Sequence, residues 1–156
     1  MIRQVRQLTD THRKVKYRKD WGSDPEFANL NAPAGQWLDD LPSDLKPTFP
    51  DKDAFPWLPS HFVGNMHCYY HLLIIMLHRP QLMSSSSFSA GGSWKQHMAL
   101  CYASAKVMCR LQEGIHQAFG LTGFICMMRG INFVIYSVLT CIMIHLVNSA
   151  SVRRFV

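Results

Sequence analysis

From residue 61 to residue 156 the chain carries eight formal charges, and only one of them, Glu113, is acidic. A solvated surface normally needs far more charge than this. The segment is therefore expected to be covered by other protein or by lipid, and its long hydrophobic stretches point to helices. The remaining charge sits upstream: residues 1–20 hold seven Lys/Arg and two acids, and residues 21–60 hold two Lys/Arg and seven acids. Net charge is +6 over 156 residues, a length sufficient for one domain with its own core.

The upstream region divides by composition. Val5, Leu8, His12 and Val15 recur at 3- and 4-residue spacing among Arg and Lys, which predicts a basic helix over residues 1–20. The cluster RKVKYRK within it suits a solvated face, a nuclear address or a polyanion contact. Residues 21–60 contain seven of the eight prolines and read as an extended connector lying on the bundle, with Leu30, Trp37, Leu41 and Leu45 as apolar anchors.

Three helices are expected from residue 61 onward. The first contains HCYYHLLIIMLHRP and should stop at Pro80, with His78 and Arg79 serving the free carbonyls of its last turn. After the linker SSSSFSAGG, Ser93 and Gln96 form a capping-box pattern for the second helix, whose apolar stripe is Trp94, Met98, Cys101, Ala105, Met108, Leu111 and Ile115. The third is expected over Thr122 to Asn148. The fold class is all-α, an incomplete helical bundle over residues 61–150.

Chemical motifs are few. At about 100° per residue, His67, His71 and His78 fall within one narrow arc, which raises the question of a metal site. A rise of about 1.5 Å per residue separates His71 from His78 by roughly 10 Å, too far for one ion with ligand bonds near 2 Å. Only His67 and His71, at i and i+4, remain as metal candidates. The glutamate of H-E-x-x-H is missing between them, and packed histidines are the simpler reading. Cys68, Cys101, Cys109, Cys126 and Cys141 include no C-x2-C pair, and their apolar settings favour reduced thiols in an intracellular protein. There is no G-x-S-x-G elbow and no G-x4-G-K-[ST] loop, and after Asp53 the sole acid is Glu113. No catalytic residues, and hence no enzyme, are expected.

The 17 residues Ile131 to Val147 lack Lys, Arg, Asp and Glu and reach about 25 Å as a helix, close to a bilayer span. A membrane protein anchored at 131–147 is one alternative, and a His-helix metal-binding protein is another.

The stretch HCYYHLLIIMLHRPQL resembles the Tyr-His and LHRP segment in the middle homology region of fungal zinc-binuclear-cluster transcription factors, the fungal-specific or xylanolytic-activator type of regulatory domain. Trp37, Leu41 and Pro42 resemble its W…LP element, and Cys101, Ala103 and Ala105 its C…AA helix. RGINFVIYSVLTCIMIHLV is similar to its later apolar helix. His71, His78, Arg79 and Pro80 belong to the most specific part of the match. The resemblance implies an all-helical nuclear regulatory domain that acts through effectors or partners in transcription. Its partners would be other helices of the full-length factor or further proteins, with a small-molecule effector conceivable and a membrane not expected. The family's DNA and zinc contacts belong to a C-x2-C-x6-C cluster that this sequence lacks, so no cofactor is assigned to any residue here, and the chain is expected to be a fragment.

Overall fold

A computed structural model describes residues 24–50, 54–83, 94–126 and 130–154. Among these residues the fold is all-α, without a strand: α1 (Pro25–Asp39), α2 (His61–Met83), α3 (Trp94–Phe119), the single turn α4 (Thr122–Ile125) and α5 (Gly130–Arg154). A 3₁₀ turn at Ser43–Leu45 and one antiparallel bridge, Thr48 to Trp57, punctuate the path from α1 to α2. The basic helix expected over residues 1–20, Ser93 and the serine-rich linker lie outside the described residues.

The stem of the molecule is the antiparallel pair α2–α3. His78 meets His97 at one end, Cys101 Sγ reaches the Ile75 carbonyl in the middle, and Gly64 abuts Ile115 at the other. The stripe expected on the second helix is buried as a set: Cys101, Ala105, Met108, Leu111 and Ile115 are all fully inaccessible. Full burial of Met108, Leu111 and Ile115 contributes about 1.5–3 kcal/mol each. Close approach requires Gly64, because a Cβ there would lie 2.7 Å from Ile115 Cγ1 and 3.0 Å from Leu58 Cδ1. Ser60 Oγ caps the start of α2 by accepting from the Val63 amide at 3.3 Å.

The expectation of an extended connector over residues 21–60 is corrected by α1. Asp24 accepts from the Glu26 amide at 2.9 Å as an N-cap, Pro25 occupies the first turn where its missing N–H costs nothing, and Glu26 complements the helix dipole. Phe27, Leu30 and Ala34 then form a stripe that packs on Leu73, Ile74 and Leu77 of α2. Pro33 inside α1 removes one intrahelical bond, and this tertiary packing outweighs the loss. The rest of the connector is pinned by Arg110, whose guanidinium donates to the carbonyls of Pro50 (3.3 Å) and Ala54 (3.1 Å) and lies 5.2 Å from the centre of the Phe49 ring.

Two helix ends also depart from expectation. Pro80 does not terminate α2, which continues to Met83. Gln81 is buried and Leu82 packs on the main core, so contacts beyond the proline hold the last turn in place. His78 and Arg79 therefore precede the final turn, and the capping role expected of them at the helix end is withdrawn. The third helix is not continuous from Thr122. Gly120 ends α3 with φ 60°, its amide bonded to the His116 carbonyl at 2.9 Å, and Gly130 adopts φ 50° at the start of α5. That left-handed geometry suits glycine and breaks the helical path between α4 and α5.

α5 runs antiparallel to α3. Ser137 receives a hydrogen bond from Gln112, Cys141 Sγ reaches the Ala105 carbonyl at 3.6 Å, and the rings of His145 and Tyr102 meet edge-on at 5.1 Å. Tyr69 of α2 stacks on Phe133 at 3.8 Å. The buried residues of α5, Phe133, Ser137, Thr140, Cys141 and Ile144, span an arc of about 100°. On the remaining face Leu139, Met143 and Leu146 are each more than half exposed.

Candidate functional site

Two constellations concentrate the chemistry: the histidine face of α2 and a thiol cluster between α3 and α5. The first is roofed by the segment that precedes α2. Trp37, at the end of α1, stacks on Tyr70 (4.9 Å, 24°) and presents an edge to His67 (5.7 Å). Pro42 precedes the 3₁₀ turn that carries Leu45, and Leu41 is half-buried beside it. His67 Nε2 donates to the Leu45 carbonyl at 2.9 Å. Burial lowers the pKa of His67, with that bond opposing the shift. Trp37 of the W…LP residues thus meets the residues matching the Tyr-His motif, a juxtaposition that their separation in the chain does not reveal.

The neighbouring His71 is the unsatisfied member of the stripe. Its Nδ1 is buried and finds no hydrogen-bond partner among the described residues. Burial, and secondarily the adjacent His67, drives its pKa down to about 4, so at neutral pH the ring is uncharged. His67 and His71 adjoin on α2, but one nitrogen of His67 is committed to Leu45. Among the described residues no three His, Cys, Asp or Glu side chains converge as ligands for an ion.

His78 lies on the same arc of α2, further along the helix, where it meets α3. Its Nδ1 lies 2.8 Å from Nδ1 of His97, within a buried pocket that Phe27 closes by edge contacts to both rings (5.4 and 5.7 Å). Two imidazole nitrogens at this separation need one N–H between them, so one ring donates and the other accepts. Burial and then His97 lower the His78 pKa to about 4, and burial lowers that of His97. Charging both rings would place two N–H groups head to head. Arg79 is half-buried next to this pair, and Pro80 carries the backbone past it. Cys101 and Ala105 line the α3 seam, where their small size lets Ile75 and Cys141 approach closely.

The second constellation has no counterpart among the expected site residues. Cys109 of α3 and Cys141 and His145 of α5 border one cleft of about 300 Å³ together with Val138, Ile142 and Leu146. Cys109 is partly exposed, Cys141 is buried, and both are free thiols. The hydrogen bond from Cys141, aided by that of His145, lowers the Cys109 pKa to about 6 against its own partial burial. Cys141 is shifted upward, chiefly because its proton serves the Cys109 sulfur. The single S–H of Cys141 has two acceptors within reach, the Ala105 carbonyl and Cys109. Behind them Cys68 of α2 is wholly buried, and burial raises its pKa, with a further push from charge on Cys109. Of these three thiols only Cys109 is shifted in the acidic direction.

Among known proteins no family model, no curated protein and no solved structure matches the chain.

Proposed function

We propose that the chain is a regulatory interaction domain of the fungal zinc-cluster transcription-factor type, acting in the nucleus by binding partners rather than by catalysis. The observation that carries this reading is the roofing of the α2 histidine face by the Trp37–Leu45 segment, because it joins the motifs of the resemblance into one packed unit. The outward face of α5 supports it further. Ile135, Leu139, Ile142, Met143 and Leu146 stand exposed beside an otherwise well-buried α2–α3 stem, and a face of this kind serves protein contact. Its occupants are further helices of the factor or a partner protein.

A second reading has its own observation: Gly130–Ala150 is 21 residues long with mean hydropathy 2.0 and is 28% buried, enough by length and composition to cross a bilayer. The packing of α3 opposes it. α3 runs beside α5 from Tyr102 to Gln112; Lys106 and Arg110 lie on that stretch and Glu113 directly follows it. Spanning by α5 would carry these charges to membrane depth, at a cost of several kcal/mol.

The test fuses the whole chain to a heterologous DNA-binding domain and reads a reporter in a fungal host. Modulated transcription that is lost in a Leu139→Glu/Met143→Glu variant is expected. A reporter indifferent to the fusion, or a chain that stays in the membrane pellet after carbonate extraction, refutes the proposal.

A further inference from the structure

The Cys109–Cys141–His145 cleft shares Ile142 and Leu146 with the exposed face of α5, but its thiols and imidazole play no part in the interaction reading. A partly exposed thiol, a second and buried thiol from the facing helix, and an imidazole line one cleft. The second thiol also has a fixed position, since its sulfur touches the Ala105 carbonyl one helical turn before Cys109. Tyr102 meets the His145 ring edge-on at 5.1 Å at the border of the cleft.

We propose that this cleft is a peroxide-reactive dithiol site, in which Cys109 is the attacking sulfur, Cys141 the resolving sulfur and His145 the residue that positions and deprotonates Cys109. The oxidant is a small hydroperoxide. The Cys109 proton passes to the His145 imidazole, and the thiolate attacks one peroxide oxygen. The O–O bond breaks, an S–O bond forms, and the leaving oxygen departs as water after taking that proton. Cys109 is then a sulfenic acid. The Cys141 sulfur attacks it, forming the S–S bond and expelling the hydroxyl as water with the Cys141 proton. Two thiols and one hydrogen peroxide thus give one disulfide and two waters. The lowered pKa of Cys109 places a large thiolate fraction at neutral pH.

The product would tie α3 to α5 covalently, which separates this site from a merely solvent-exposed thiol such as Cys126. Cleavage by trypsin places Cys68, Cys101, Cys109, Cys126 and Cys141 in five different peptides. The fully reduced 156-residue chain is treated with stoichiometric hydrogen peroxide, its remaining thiols are alkylated, and its peptides are mapped by mass spectrometry. A linked Cys109–Cys141 peptide pair as the main product is expected, reversible by dithiol. In Cys141→Ser, Cys109 should instead be trapped as sulfenic acid by dimedone. In His145→Gln, the rate of Cys109 oxidation near pH 7 should fall on the order of tenfold, with the rate profile displaced to higher pH. Linkage through Cys68, reaction at Cys126 alone, or Cys109 oxidation at an unchanged rate in His145→Gln overturns the assignment. The wild-type map requires no variant to fold, and circular dichroism confirms helicity where variants are used.

Discussion

Replacing His71 with phenylalanine should remove a large part of the acid sensitivity of this fold while leaving its stability at neutral pH almost untouched. Burial holds His71 at about 4 in the folded chain, whereas an unfolded histidine titrates near 6.5. Above pH 6.5 neither state is protonated and the residue has no influence on pH dependence. As the pH falls below 6.5 the unfolded chain binds a proton that the folded chain refuses, and stability declines until the folded ring also titrates near 4. The difference corresponds to about 2 kcal/mol at pH 5 and about 3 kcal/mol once pH 4 is passed. His78, held at about 4 by the same burial, adds a comparable amount. Wild type should therefore lose about 4 kcal/mol between pH 7 and 5 through these two residues, a sizeable share of the stability of any small domain. The His71→Phe variant should lose about 2 kcal/mol less than wild type, the remaining dependence coming from His78 and from His67 and His97, whose pKa values burial also lowers. At pH 7 the two proteins should differ by less than about 1.5 kcal/mol, since the buried Nδ1 makes no hydrogen bond that phenylalanine would forfeit. Urea unfolding followed by circular dichroism at pH 7, 6 and 5 measures each quantity. An identical loss between pH 7 and 5 in wild type and variant would show that His71 is not held neutral by its surroundings.

Three further outcomes follow from the packing. Gly64→Ala should destabilise the protein by about 1–3 kcal/mol in urea melts despite the better helix propensity of alanine, because its Cβ meets Ile115 and Leu58 at 3.0 Å or less. Trp37→Ala should release α1 first: hydrogen exchange across Pro25–Asp39 should rise at least tenfold, corresponding to a loss of about 1.4 kcal/mol, while α3 stays protected. Arg110→Ala should cost about 1 kcal/mol and speed exchange at the Thr48 and Trp57 amides, which the bridged loop beneath Arg110 protects.

The core of the stem was legible from residue spacing alone. Cys101, Ala105, Met108, Leu111 and Ile115 recur at helical intervals, and their burial needed no knowledge of the partner helix. α1 was obscured by prolines, although Asp24-Pro25-Glu26 is a helix-start signature and Phe27, Leu30 and Ala34 keep helical spacing. Pro33 argued against a helix locally, and the apolar surface of α2 decided otherwise. Pro80 misled for the same reason, since local chemistry favours a stop and the buried Gln81 beyond it favours continuation. The candidate site was less legible. That Trp37 would roof His67 depends on the path of the chain between α1 and α2. That Cys109 would meet Cys141 depends on α5 folding back antiparallel along α3. Neither relation leaves a trace in the spacing of residues.

The Nδ1-to-Nδ1 contact between His78 and His97 has a directional consequence. With the shared proton on His78, the outer Nε2 of His78 is bare and accepts, while that of His97 bears a proton and donates. If the proton moves across the contact, both outer edges must reverse polarity to keep each ring neutral. A group that demands a donor at one outer edge therefore compels an acceptor at the other, on a different helix. The two rings act as a relay of hydrogen-bond sense between α2 and α3 without any change in backbone or net charge.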